Sequence, residues 1–180
     1  LFDLVRSGFP ITPDKGVPLG GLGGGTITRG CRGDFNRWAL KPGDYAYRKV
    51  EVDQFSLRVV RQGESVQTLV LNPDPPKDKT LQNWGWGLDE TKITYRALFP
   101  RAWHDYHSPI SGINLSCRQV SPVIPHNYRE SSFPVSTFIW RVENTAGEEA
   151  EVSLMFTFQN GTGGDNDLAG GHSNHSIQVS

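Results

Sequence analysis

The carboxylates of Asp34, Asp44, Asp53, Asp89, Glu90, Asp105, Glu130, Glu143, Asp165 and Asp167 are the side chains here best suited to general acid, general base or nucleophilic work. Such work needs two of them converging on one bond, and their spacing pairs none. Most fall in turns, where Asp caps its own backbone, so a structural role is the expectation for each. His104 and His107 flank Asp105 in the run HDYH and offer nitrogen ligands to a metal. On a strand, residues three apart point to opposite faces, which defeats convergence. His172 and His175 follow Asp165 and Asp167 in a glycine-rich stretch, where a surface metal is the alternative to a plain loop. No Ser-His-Asp or Cys-His signature is present, and neither a metal site nor a cofactor is expected.

Residues 16–25 hold six glycines, with Thr26-Ile27-Thr28 directly behind them. A phosphate cradle would need G-x-G-x-x-G before a helix, or Gly-Lys-Ser/Thr at the end of a P-loop. Here Thr26 stands where the third glycine belongs, no Lys follows, and the next residues are β-branched and alternating. No helix N-terminus faces the loop, so it reads as a tight structural path or a surface for a second domain. Trp84-Gly85-Trp86 offers indole faces that can stack on a pyranose, against the commoner fate of burial in a core or domain interface. Between residues 29 and 49, Arg29, Arg32, Arg37, Lys41, Arg48 and Lys49 outnumber Asp34 and Asp44. That balance suits either anionic lipid headgroups or a local set of ion pairs, and the ion pairs are the expectation.

The elements that must hold these residues are strands. Residues 54–62 alternate through Phe55, Leu57 and Val59 and turn at Gln62-Gly63-Glu64 into residues 66–71, a hairpin. Residues 25–29 and 35–40 read as two strands joined by a turn, and Lys41-Pro42-Gly43-Asp44 is a turn after them. Residues 91–99 and 102–107 alternate around a bend at Pro100, and Ile113, Leu115 and Cys117 mark the next strand. Residues 135–143 and 150–159 read as a closing hairpin, with Val152, Leu154, Phe156 and Phe158 on one face. Residues 1–15, 72–79, 121–134 and 160–171 read as irregular or loop. No apolar stripe of helical period and length occurs, so the fold class is all-β: an antiparallel two-sheet β-sandwich with long loops.

The 180 residues suffice for one domain with its own core, and residues 1–180 are read as one. A net charge of −1 gives no reason to expect nucleic acid as a partner. Cys31 and Cys117 are too few for a disulfide framework and are read as small apolar residues. Sequons at Asn114, Asn160 and Asn174 would suit a secreted protein, but such triplets are common by chance.

The run GVPLGGLGGGTITRG at residues 16–30, followed by Arg32-Gly33-Asp34-Phe35 and Arg37-Trp38, resembles the N-terminal domain of the non-lysosomal glucosylceramidase, or bile acid β-glucosidase, family. Further blocks agree in order: Asp53-Gln54-Phe55, Trp84-Gly85-Trp86-Gly87-Leu88, ALFPRAW at residues 97–103, Cys117-Arg118-Gln119, Val142-Glu143-Asn144 and Met155-Phe156. The resemblance implies most of an N-terminal β-sandwich whose partner is a catalytic (α/α) barrel domain of the same chain, expected downstream. In that family the barrel carries the nucleophile and the acid/base, so no residue here is assigned a catalytic role and the segment alone is expected to be inactive. It also implies a retaining enzyme that takes glucosylceramide, with peripheral contact at the cytosolic face of endoplasmic reticulum, Golgi or plasma membrane. Gly23, Gly24, Gly25, Arg29, Arg32, Asp34, Trp38, Trp84 and Trp86 are the candidates for the domain interface or the substrate's vicinity. The alternative is a free-standing carbohydrate-binding module that uses Trp84 and Trp86 as its platform.

Overall fold

The computed structural model describes residues 2–3 and 16–159. The expected loops at residues 1–15 and 160–171, the pair His172 and His175, and the sequons at Asn160 and Asn174 therefore lie wholly or mostly outside the described residues. Among the described residues twelve antiparallel strands fall into three sheets. The largest has the order β1(Phe2–Asp3), β8(Ile93–Leu98), β9(Arg101–Ile110), β10(Ile113–Val120), β11(Thr137–Asn144). A second holds β12(Ala150–Thr157), β6(Gln54–Arg61) and β7(Gln67–Val70). The third is a meander of β2(Gly16–Leu19), β3(Thr26–Gly30), β4(Phe35–Lys41) and β5(Asp44–Tyr47).

The alternating strands behave as their period dictates. On β6 the residues Phe55, Leu57 and Val59 are buried, while Ser56, Arg58 and Val60 between them face outward and keep partial exposure. On β9 and β10 Ala102, His104, Tyr106, Leu115, Cys117 and Gln119 are buried by the same alternation. The sheets meet through rings: Phe55 lies 4.5 Å from Phe156, 5.0 Å from Phe138 and 5.0 Å from Trp140, between ring centroids. Phe35 of the meander joins this cluster, and Val17 packs on Tyr95 and Ala102 at the other end of the large sheet. Two sheets together therefore cover the inner face of the third.

Two local readings are corrected. Residues 137–144 and 150–157 do not form a hairpin: β11 pairs with β10, with Trp140 opposite Cys117, and β12 pairs with β6, with Phe156 opposite Phe55. The turn between them crosses from one sheet to the other, because both strands carry an apolar face and each gains more by covering the other layer than by pairing with its neighbour. The glycine run is not all loop either: β2 lies within it, paired with β3, and Gly16 sits where a Cβ would come 2.2 Å from the Arg29 carbonyl oxygen. Strand β5 and the short helix α1(Tyr128–Ser131) were also not expected.

Candidate functional site

The carboxylates named above are largely engaged in holding the chain. Asp89 accepts the amide two residues on and opens a short 3-10 turn, as Asp78, outside that set, also does. Asp105 bonds Arg96 and accepts from Ser116 Oγ at 2.7 Å. Glu130 and Glu143 accept side-chain amides from Asn127 and Asn114. Asp53 is fully buried, accepts the Gln159 amide at 2.5 Å, and has its carboxyl pushed up by burial.

One cavity of about 660 Å³ does bring carboxylates together, with Asp34, Glu51 and Asp74 in its wall. Each already has protein donors. Asp34 accepts from Asn36 Nδ2 at 3.1 Å, and burial raises its carboxyl above the usual range despite the opposing charge of Lys49. Glu51 accepts the amides of Lys77 and Asp78, tying down the proline-rich loop. Asp74 takes Lys49 at 3.0 Å and Arg32 at 2.8 Å; burial opposes ionisation there, but these two cations outweigh it and hold the carboxyl low.

Arg29 is enclosed completely. Its guanidinium donates to the Gly33 carbonyl, to His104 Nδ1 at 3.2 Å, to Tyr106 Oη at 3.1 Å and to Cys117 Sγ, and lies 5.0 Å over the Phe55 ring. Among the described residues no carboxylate pairs with it. His104 spends its other nitrogen on the Gly30 carbonyl at 2.9 Å, and burial, then the Arg29 charge, drives its pKa well below 6.5. His107, by contrast, is exposed and bonds Thr94, so the two histidines of HDYH point apart. This buried set pins the meander to β9 and β10 and is inaccessible to substrate.

The glycine loop packs on the other long loop of the chain. A Cβ at Gly21 would lie 2.3 Å from the Phe133 carbonyl oxygen and 2.7 Å from that of Ser131, and Leu22 donates its amide to Ser131 at 2.7 Å. Ser131 is itself buried, with Oγ bonded to both backbone groups of Ile124. Gly23 and Gly25 take positive φ, which only glycine adopts readily. The joined loops carry Leu22, Ile124, Tyr128, Phe133 and Val135 on their outer surface, Tyr128 being 81% exposed.

Trp84 and Trp86 stack on each other, with centroids 6.3 Å apart and planes within 8°. Trp86 Nε1 donates to the Leu81 carbonyl at 2.8 Å, and the Gly85 carbonyl accepts from Val70, which fixes the segment along β7. Both indoles are half-buried. Trp38 donates to the Arg48 carbonyl and touches Phe158.

Against this geometry, a family model described as beta-glucosidase 2, glycosyl-hydrolase family 116 N-term, matches residues 16–180. The chain belongs to that family. It is therefore an N-terminal domain of a family 116 glycosyl hydrolase, built as an all-β sandwich.

The nine candidate positions do not form one site in this family 116 domain. Arg29 lies in the core; Arg32 and Asp34 face the region of Asp74; Gly23, Gly24 and Gly25 belong to the joined loops; Trp84 and Trp86 stand over β7. Sequence reasoning passed over Gly21 and Ser131, which hold the two loops together. The glycine run does not mark which of its members meets a backbone, and a serine in a loop carries no signal of burial.

Proposed function

We propose that this domain is the non-catalytic β-sandwich of a retaining β-glucosidase, packing on the catalytic (α/α) barrel of the same chain, in an enzyme that hydrolyses glucosylceramide to glucose and ceramide. The observation that carries the packing is the apolar patch on the joined loops, where Tyr128, Phe133, Val135, Leu22 and Ile124 are exposed together on a rigidly tied surface. Exposed apolar side chains grouped in this way mark an interaction surface rather than ordinary monomer surface. The engagement of the carboxylates in caps and ion pairs supports a supporting role, with bond cleavage left to the barrel. The substrate rests on the resemblance of the sequence blocks to the glucosylceramidase family.

The exposed end of the meander supports peripheral membrane contact, and the choice of a cytosol-facing surface rests on the resemblance to the glucosylceramidase family. Leu40, Tyr45 and Tyr47 are exposed beside Lys41 and Arg48, and Arg37 lies over both tyrosine rings at 5.4 and 5.5 Å. Aromatic rings interleaved with cations suit the headgroup layer of an anionic bilayer. Arg29 is buried, and Arg32 and Lys49 are committed to Asp74 and Glu90, so they do not contribute.

The packing is tested in the full-length chain by Tyr128→Asp with Phe133→Asp. Wild type is expected to unfold as one calorimetric transition and the double variant as two, with aryl β-glucoside hydrolysis reduced. A single transition with unchanged activity would refute this docking face.

A further inference from the structure

The outer face of the sheet β12-β6-β7 carries a groove of about 370 Å³ that neither the core nor the joined loops use. Register places Val70, Ser56 and Met155 side by side in one row across the three strands, and Thr68, Arg58 and Ser153 in the next. The segment from Asn83 to Gly85 forms one wall, so Trp84 lines the groove while Trp86 backs it.

We infer that this groove is a binding subsite for a hexopyranose ring. Trp84 lines the groove, and an indole face has the size of a sugar's C–H face, on which such a ring can stack. The indole is held in place before any ligand arrives. Trp86 stacks behind it and is locked through Leu81, and a Cβ at Gly85 would lie 2.2 Å from the Thr68 carbonyl oxygen, so the wall cannot shift outward without losing its seat on β7. A preformed wall avoids the ordering cost of binding.

Within a mostly apolar lining, the groove has a few polar groups that can meet the hydroxyls at the edge of a ring. Thr68 and Ser153 supply hydroxyls and Asn83 an amide. Among the described residues the buried Ser56 hydroxyl oxygen has no hydrogen-bond partner. Met155, 53% exposed and unbranched, is the side chain that can move aside to open Ser56 to a ligand. Among the described residues the one cation in the wall, Arg58, already pairs with Glu151 at 2.9 Å, so those residues offer no unpaired charge to an anion.

The test uses the full-length chain in native gels containing soluble mixed-linkage β-glucan, compared with gels lacking it. Wild type is expected to be retarded by the polysaccharide. Trp84→Ala should weaken that retention about tenfold and Asn83→Ala less so, each with the wild-type melting temperature. Trp84→Phe, which keeps an aromatic wall, should retain an intermediate affinity. Absence of retardation in wild type, or equal retardation of Trp84→Ala, overturns the subsite. So does a loss of melting temperature in both Trp84 variants, since Trp84 would then be supporting the structure instead of binding sugar. None of these results depends on the docking of Tyr128 and Phe133.

Discussion

Replacing Gly21 by alanine tests whether the glycine run exists for close approach between two loops or for backbone conformation alone. The added Cβ would lie 2.3 Å from the Phe133 oxygen, 2.7 Å from the Ser131 oxygen and 2.7 Å from the Ser132 carbonyl carbon, all of them backbone atoms. None is a side chain that can rotate away, so the loops must part. Overpacking of this kind costs about 1–3 kcal/mol. Parting the loops also breaks the amide bond from Leu22 to Ser131, adding about 1 kcal/mol, for a total of about 2–4 kcal/mol. Gly23 is the control: its φ is +79°, but among the described residues nothing lies within 4 Å of the added carbon, so alanine there costs only the left-handed backbone penalty, about 1 kcal/mol. The assay is hydrogen exchange at the Leu22 amide in the full-length chain, with the thermal midpoint of the domain measured alongside. Gly21→Ala should speed that exchange about thirtyfold or more, and Gly23→Ala by less than tenfold. If Gly23→Ala proves equal to or worse than Gly21→Ala, the run serves backbone angles and the loop-on-loop account is wrong.

His104 titrates near 6.5 in an unfolded chain, whereas in the fold burial and the Arg29 charge hold it neutral far below that value. The unfolded state then binds the extra proton, so stability is complete above pH 6.5 and declines as pH falls below it, by up to about 1.4 kcal/mol per pH unit. Urea midpoints of wild type and His104→Gln between pH 7.5 and 5 should show the acid-side slope only in wild type; parallel slopes would exclude this role. For the exposed meander tip, vesicles containing phosphatidylserine should sediment the full-length chain at low salt, and Lys41→Glu with Arg48→Glu should abolish it, since each surface cation contributes about 1 kcal/mol near an anionic bilayer. No sedimentation of wild type at low salt removes the lipid contact.

Strands whose burial follows from neighbours two residues apart were legible directly. Phe55, Leu57 and Val59 alternate with polar residues, and all three are buried; Leu115 and Cys117 do the same on β10. The opposite pointing of His104 and His107 follows from the same period. Partner choice was not legible. Residues 137–144 and 150–157 look like a hairpin because a turn joins two apolar strands, yet each completes a different sheet. Arg29 carries no sign of its burial either, since three of the groups that accept its hydrogen bonds, His104, Tyr106 and Cys117, lie more than seventy residues away along the chain.

The sequence by itself determined an all-strand domain and its family, because side-chain alternation is a local property and the family blocks are stretches of adjacent residues. Only the tertiary structure decided what the conspicuous residues do. Gly21 meets the backbone of residues 131–133, Arg29 fills the core, Asp34 and Asp74 are bound to protein donors, and Trp84 walls a groove on β6 and β7. Each of those outcomes depends on atoms brought together across the chain, and short-range patterning carries no information about which distant segment arrives.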